Sequence, residues 1–567
     1  MKYLFRIHML FFMVSLISSC QRKQAEHADL ILLNTTIYTA DSSGTIAEAV
    51  AVKGGKILQI GPNDEISKLT GDSTQVLDLS GAYVYPGFAD GHAHMMGIGD
   101  NLINVDLMDA QNYEEVIARV KERASVTPKG EWVLGRGWHQ DKWVNQPEVM
   151  FRGFPTHEAL SEAVPDHPVW LSHASGHAGL ANAKAMELAG VNASTKDPKG
   201  GEVFKDLSGR PTGLMNETAS GLIARHVPEE TATMKSRKLT LAIDEALKNG
   251  ITSFHDAGCG PDDIELYESF AREGRLPLRV HVMLDGSDSA LLSQRYALGP
   301  QQHLYNDHLN VSAIKLYADG ALGSRGAWLL APYSDAADVY GHNTMPMDEI
   351  ERVVREGTLH GFQVCTHAIG DRANREVLDI YERAFEKYPD LKTDRRYRIE
   401  HAQHIDPEDI PRFGSLGVIP SMQAIHMSSD RPWAISRLGK ARIETGAYMW
   451  RSLFDTGAKI VNGTDAPVEP INPLANFYAS VTRKTLAGTP EGGYEPAQKM
   501  TRTEALLSIT RWAAFGAFME DKTGSIETGK LADFTILDQD IMTIPEDDIL
   551  QTRVIMTIID GEVVYER

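Results

Sequence analysis

Two histidines, His92 and His94, are one residue apart in the segment GFADGHAHMM, directly after a run that is typical of a buried strand. Residues i and i+2 of an extended chain point to the same side, so both imidazoles are expected to face one cavity. Such a pair is weak evidence alone, because surface or core histidines produce the same pattern. A metal site needs further ligands that one fold can bring together.

Four more candidate ligands follow at the ends of later predicted strands. They are Lys315 in VSAIKLYADG, His367 in FQVCTHAIGD, His401 in YRIEHAQHI and Asp465 in KIVNGTDAP. Imidazole and carboxylate are ligands of Zn²⁺ and similar divalent cations, so the set predicts a metal site. Asp465 is also our candidate for the general base. The structural alternative for Asp465 is a turn-capping aspartate.

Lys315 is an unusual member of this set. Strand alternation with Ala313 and Tyr317 points its side chain inward, where an ammonium group would be costly to bury and would repel a metal. A paired carboxylate would explain the lysine in structural terms. A carbamate, formed from its neutral amine and carbon dioxide, would instead make Lys315 an anionic bridging ligand.

Strands that alternate with helices must position these side chains. Eight candidate strands lie between about residues 85 and 520, with helical patterns such as RKLTLAIDEALKN between them. This count predicts an α/β fold of the (β/α)8 TIM-barrel type, in which the active site lies at the carboxyl ends of the strands. The interval of about 100–235 is too long for one crossover and predicts an insertion after the first strand.

Both ends of the chain show a different pattern of predicted secondary structure. Residues 29–84 and 521–567 consist of short predicted strands with turn signals, among them Asp560-Gly561. We expect the two segments to form one small β-sandwich, with residues 85–520 as the barrel that carries the predicted metal site.

Five further residues are candidates for substrate contact. His173 and His177 lie in SHASGHAGLAN of the insertion, and each could orient substrate or begin the next helix. Trp138 is a candidate pocket wall, with core packing as its alternative. Asp319 and Arg325 follow the lysine in ADGALGSRG, and ion pairing alone would explain both.

Composition excludes some classes of partner. The formal charge of −21, from 77 acidic and 56 basic residues, argues against a nucleic-acid partner, which needs a basic face. Cys259 and Cys365 are predicted to be small buried residues and not a disulfide framework. The sequence leaves a homo-oligomer open.

The N-terminus has the three parts of an export signal. Lys2 and Arg6 precede the apolar run MLFFMVSLI, and SSC follows with Cys20. This resembles a bacterial lipoprotein signal, with residues 1–19 as signal peptide, Cys20 as the lipidated residue and 20–28 as a tether. We expect export to the bacterial cell envelope and attachment to a membrane through that lipid. An ordinary cleaved signal is the alternative.

The long motifs also resemble a known family. GFADGHAH, IKLYADGALGSRGA, THAIGDRAN, RIEHAQHI and NGTDAPVEPINPL are similar to the amidohydrolase superfamily, and more narrowly to the branch that contains N-substituted formamide deformylase. The resemblance implies one or two divalent metals. It further implies that His92 and His94 bind one metal, that carboxylated Lys315 bridges, that His367 and His401 bind the second, and that Asp465 is ligand and base.

The implied reaction is hydrolysis of an amide-type C–N bond in a small molecule, such as an N-formyl amine, an N-acyl amine or a cyclic amide, with Zn²⁺ as the expected metal. A deaminase or esterase could use the same site, because activated hydroxide does not dictate its electrophile. A membrane-anchored binding protein with a degenerate site is the alternative outside enzymes.

Overall fold

The computed structural model describes residues 27–174, 178–391 and 394–567. The predicted signal peptide, Cys20 and most of the predicted tether lie outside the described residues, as does His177. Within the described ranges, no helix combines the length and apolar character that crossing a membrane requires.

The centre of the fold is a nearly closed barrel of eight parallel strands. In chain order the barrel strands are Phe88–Ala93, Ile251–Cys259, Arg279–Asp285, Leu309–Tyr317, Gln363–Ala368, Arg398–His401, Ile419–Met422 and Val461–Asn462. Each strand pairs in parallel with the next one in the chain. Between the eighth and first strands the Asp465 amide donates to His92 O at 2.7 Å, and the His94 amide donates to Ala466 O at 2.8 Å. The predicted (β/α)8 architecture therefore matches the structure.

Helices cover the outside of the barrel. Met347–His360 illustrates why they form: Ile350, Val353, Val354 and Gly357 are buried at helical spacing, and Gly361 ends the helix with φ of 77°. The other barrel helices are Ala232–Lys248, Pro261–Arg272, Ser289–Leu298, Leu304–Asp307, Asp371–Lys387, Ile410–Leu416, Ala424–Gly446, Trp450–Asp455, Pro473–Thr482, Arg502–Ser508 and Arg511–Gly516.

The segment between the first and second barrel strands carries its own sheet. Its six strands, in spatial order, are Gly201–Lys205, Pro211–Glu217, Ala178–Ala181, Val169–His173, Val133–Trp138 and Val105–Asp106. Helices Met95–Ile103, Tyr113–Val126, Glu158–Ala163, Ala183–Leu188 and Gly221–Ala224 and the strand pair Met150–Phe151 and Phe154–Pro155 complete the segment. Trp138, Leu171 and Leu180 belong to one apolar core that is separate from the main barrel core.

Two further sheets are built from the chain ends. The first contains Lys56–Gly61, Ala49–Lys53, Leu30–Leu33 and Gln75–Asp78, in that order. The second contains Glu562–Glu566, Val554–Ile559, Phe534–Leu537, Tyr83–Pro86, Thr36–Tyr38 and Ile46–Ala47. Antiparallel pairing of Phe534–Leu537 with Tyr83–Pro86 joins the two ends of the chain. Side chains of both sheets, including Leu32 and Phe534, contribute to one apolar cluster.

A buried ion pair connects these sheets to the barrel. Arg279, on the third barrel strand, donates to both carboxylate oxygens of Asp533 at 2.6 and 2.7 Å. Cys259 and Cys365 are buried free thiols in the barrel, as the sequence predicts.

Candidate metal centre

The six predicted ligands all lie at the carboxyl ends of barrel strands. His92 and His94 end the first strand, Lys315 is late in the fourth, His367 is late in the fifth, His401 ends the sixth, and Asp465 follows the eighth. The ring of His401 is central, since its centroid lies 5.1 Å from that of His92 and 4.4 Å from that of His367. The barrel thus collects at one end the side chains that the sequence separates by up to 373 residues.

One set of ligand atoms comprises His92, His94 and Asp465, whose donor atoms lie within 4.8 Å of one another. Asp465 Oδ1 is 3.1 Å from His94 Nε2 and 3.6 Å from His92 Nε2. The other ring nitrogen of His94, Nδ1, lies 2.9 Å from Ala257 O and can donate to it. That hydrogen bond leaves Nε2 free to bind a cation, the usual arrangement of a metal-binding histidine.

A second set comprises His401, His426 and Asp465, again within 4.8 Å. His426 Nε2 lies 3.5 Å from Asp465 Oδ2, and the His426 ring is stacked on that of His401 at 5.9 Å and 15°. His401 Nδ1 is 2.7 Å from Gln423 Oε1 and can donate to it. The sequence analysis missed His426, although the segment SMQAIHM places it just after the seventh barrel strand.

A buried ion pair orients His92 from behind. His92 Nδ1 lies 2.5 Å from Glu400 Oε2, and Arg398 donates to both Glu400 oxygens at 2.7 and 2.9 Å. Burial by itself raises the pKa of Glu400, but Arg398 and His92 outweigh it and hold this pKa well below its ordinary value. An ionised Glu400 accepts the Nδ1 proton of His92 and directs Nε2 toward the site.

Lys315 is fully buried with its amine inside the cluster. Its Nζ lies 3.2 Å from His92 Nε2 and 5.0 Å from the centre of the Tyr317 ring. Among the described residues no carboxylate forms an ion pair with it, so the purely structural explanation lacks a partner. Burial lowers the pKa of Lys315, and the charges of Glu400 and Asp465 only partly oppose this. The lowered pKa shifts Lys315 in the direction of the neutral amine that a carbamate requires.

The protonation states suit a cation. Burial, together with the nearby Lys315, lowers the pKa of His92 to about 4, and burial next to His367 holds that of His401 well below its usual value. Burial raises the pKa of Asp465, but its hydrogen bond with His94 and the neighbouring histidines shift it well below the usual range. Neutral imidazoles and an ionised carboxylate at neutral pH are the forms that bind metals.

Backbone conformation also marks the site. His401 has φ of 71° and Asp465 has φ of 58°, in the left-handed region that non-glycine residues rarely adopt. Such strain persists only where the surroundings enforce it, and it is concentrated at functional sites. Next to Asp465, the Thr464 amide donates to buried Asp90 at 2.9 Å, which ties the turn to the first barrel strand.

His367 lies beside the two sets but belongs to neither. Its Nε2 is 3.4 Å from Asp319 Oδ1 and has no hydrogen-bond partner in the described part of the chain. Asp319 accepts hydrogen bonds from the amides of Trp328, Ile369 and Gly370 at 2.8 to 2.9 Å. Asp319 therefore braces the turn that follows the fifth barrel strand.

The other predicted substrate residues lie in different settings. Arg325 forms an ion pair with Asp335 at 2.9 Å. Trp138 is buried in the core of the inserted segment, where its Nε1 donates to Leu171 O at 2.9 Å, in agreement with the packing alternative. The His173 ring contacts Trp138 with centroids 4.7 Å apart. His177 lies outside the described residues.

The donor set fits a divalent cation. Imidazole nitrogens and a carboxylate converge in a buried space, and Nε2 of His367 and of His426 are buried without hydrogen-bond partners among the described residues. Buried polar atoms normally have partners, so these atoms indicate a missing ligand.

The chain is similar in sequence to known proteins over most of its length. YtcJ of Bacillus subtilis (strain 168) is 32% identical over 94% of this chain and 98% of its own length. The protein LONG AFTER FAR-RED 3 of Arabidopsis thaliana is 33% identical over 90% of this chain and 87% of its own. N-substituted formamide deformylase of Arthrobacter pascens is 28% identical over 95% of this chain and 98% of its own.

A solved structure shows the same architecture. The crystal structure of an uncharacterized metal-dependent hydrolase from Pyrococcus horikoshii OT3 superposes with a TM-score of 0.74 and 28% identity, covering 91% of this chain and 99% of that one. The profile of the amidohydrolase family matches residues 75–565. With this match over most of its length, the chain belongs to the amidohydrolase family.

Proposed function

We propose that this protein hydrolyses an amide-type C–N bond in a small molecule, such as an N-formyl amine, an N-acyl amine or a cyclic amide. The observation that carries the proposal is the buried pair of ligand sets that share Asp465 at the mouth of the barrel. The similarity to N-substituted formamide deformylase over nearly the whole chain supports this substrate class.

The site would hold one or two divalent cations, with Zn²⁺ favoured by the nitrogen and carboxylate ligands. His92 and His94 would bind one cation, and His367 and His401 would bind the other. Lys315 would join them as a carbamate, formed when its neutral amine adds to carbon dioxide and releases one proton. This modification turns a cation-repelling residue into an anionic ligand. It is supported by the burial of the amine next to His92 and by the lack of a carboxylate ion pair with it among the described residues.

A bound divalent metal supplies polarisation of the substrate carbonyl and a lowered pKa of water. Asp465 is placed to accept the proton of the attacking water, because its pKa keeps it ionised at neutral pH. Asp465 then returns that proton to the leaving nitrogen as the C–N bond breaks. Glu400 and Arg398 keep His92 in the orientation that this geometry requires.

The finer assignments outside the barrel are also part of the proposal. The two terminal sheets form a small β-sandwich, which their common apolar cluster supports. Cys20 is lipidated after export, and this lipid anchors the enzyme to a membrane of the bacterial cell envelope. The sequence LISSC after a short apolar run supports this attachment.

The test is a hydrolysis screen of N-formyl, N-acyl and cyclic amides with the protein truncated before residue 27 and loaded with zinc. We expect turnover that is lost on chelation, restored by zinc, and absent in Asp465→Asn. Deamination or ester cleavage alone would contradict the amide assignment. A purified protein that retains no metal would favour a binding protein.

A further inference from the structure

His426 occupies a fixed position at the mouth of the barrel. It lies in the first turn of helix Ala424–Gly446, directly after the seventh barrel strand. The Ala424 amide donates to Asn462 Oδ1 at 3.1 Å, and the Ile425 amide donates to Asn476 Oδ1 at 2.9 Å. These two side-chain amides fix the backbone that presents the imidazole, so its direction is set by the fold.

The exposed fraction of the His426 side chain is only 9%. Its Nε2 nevertheless makes no hydrogen bond to any described residue. Parallel stacking on His401 holds the ring plane, and Nε2 points to Asp465 Oδ2 at 3.5 Å. A buried nitrogen without a partner is unfavourable unless something else binds it.

The two oxygens of Asp465 face different groups. Oδ1 approaches His94 and His92, whereas Oδ2 approaches His426. With His401, the Asp465 and His426 donor atoms form a triangle whose sides are all within 4.8 Å. Three protein ligands of these types are the usual set for a catalytic zinc ion.

We propose that His426, together with His401 and Asp465, forms the second metal subsite of this centre and binds a divalent cation such as Zn²⁺. Asp465 then joins the two subsites through its two oxygens. This inference rests on the proposed function, since it assigns a ligand within the same site. It adds a histidine from a helix to ligands that otherwise come from the barrel strands and the turn after the last one.

The experiment compares His426→Gln with His426→Glu. The two side chains have nearly the same shape, but only glutamate offers a carboxylate ligand. Apo-protein is dialysed against buffered Zn²⁺, and bound metal is counted by mass spectrometry over a range of free zinc. His404→Gln is the matched control, because His404 is buried near Tyr448 and belongs to neither ligand set.

We expect two equivalents of zinc in the wild type and in His404→Gln. His426→Gln should lose one equivalent, with affinity at that subsite at least about 100-fold weaker, because even indirect partners of ligands change affinity about 10- to 100-fold. His426→Glu should recover part of that binding. Circular dichroism and thermal unfolding of the apo-proteins check that each variant is folded.

The inference is overturned if folded His426→Gln binds zinc with the stoichiometry and affinity of the wild type, whether one or two equivalents are bound. That outcome leaves the proposed function intact. A wild type that binds no zinc would refute the proposed function as well, so the two failures can be told apart.

Discussion

Glu400→Gln should lower both the stability of the barrel and the metal affinity of its centre, and the two effects can be measured separately. The carboxylate is fully buried, accepts from Arg398 at 2.7 and 2.9 Å, and contacts His92 at 2.5 Å. Glutamine has the same shape but removes the negative charge, which leaves the Arg398 guanidinium buried without its counter-ion. Breaking a buried pair in this way typically lowers the free energy of unfolding by about 3 to 5 kcal/mol.

The same change acts on the metal through His92. A glutamine oxygen is a weaker acceptor than a carboxylate, so the imidazole becomes a poorer and less well oriented ligand. Metal affinity should fall about 10- to 100-fold. The assays are urea unfolding of apo-protein followed by tryptophan fluorescence, and zinc binding by competition with a chelating dye.

Two further variants make the reasoning refutable. Glu376→Gln is the control, because Glu376 is a partly exposed partner of Arg372 at 3.7 Å and its replacement should change stability by less than about 1 kcal/mol. Arg398→Met with Glu400→Gln removes both charges, so stability should recover in part while zinc affinity stays low. A Glu400→Gln protein with wild-type stability and zinc affinity would refute both roles.

Four other outcomes are expected. Asp465→Asn should lower kcat about a thousandfold while part of the metal remains, because the amide cannot accept the water's proton. A variant with bound metal and near wild-type kcat would show that another residue is the base. Lys315→Ala should lose metal and activity, and a short carboxylic acid with bicarbonate should restore part of both, whereas a full metal content would exclude the bridge. In apo-protein the free energy of unfolding should fall as the pH drops from about 6.5 toward 4. In this range the unfolded chain binds a proton at His92, whereas native His92, with its pKa lowered to about 4, does not. The variant His92→Gln should show a weaker dependence on pH. Cys20→Ser should move the protein from the membrane fraction to the soluble fraction with its activity intact, and sedimentation with membranes would contradict lipidation.

The barrel could be predicted because its signals are local and repeated. The strands that carry the candidate ligands are short apolar runs with a polar residue at or near the carboxyl end, and parallel pairing brings those ends together. The order His92, His94, Lys315, His367, His401 and Asp465 therefore predicted side chains that lie near one another at one end of the barrel. Strand alternation also gave the inward direction of Lys315, which the structure places in the barrel with its amine against His92.

His426 could not be found in the same way. It lies on a helix, and whether a residue in a first turn faces the barrel depends on contacts with Asn462 and Asn476 that are distant in sequence. The pair Arg398 and Glu400 did carry a signal that was overlooked. Two opposite charges at i and i+2 of a buried strand face the same side and must compensate each other.

The balance of charge inside the barrel explains why these residues occur together. Arg398 and Glu400 neutralise each other, and burial favours the uncharged amine of Lys315. Asp465 remains as an ionised buried carboxylate whose ion-pair partners among the described residues are histidines, which are poor counter-ions when neutral. A buried negative charge needs a cation to compensate it. A carbamate on Lys315 would add a second negative charge. The carboxylate and the carbamate would then give the protein part of the centre about two negative charges, which divalent cations are suited to neutralise.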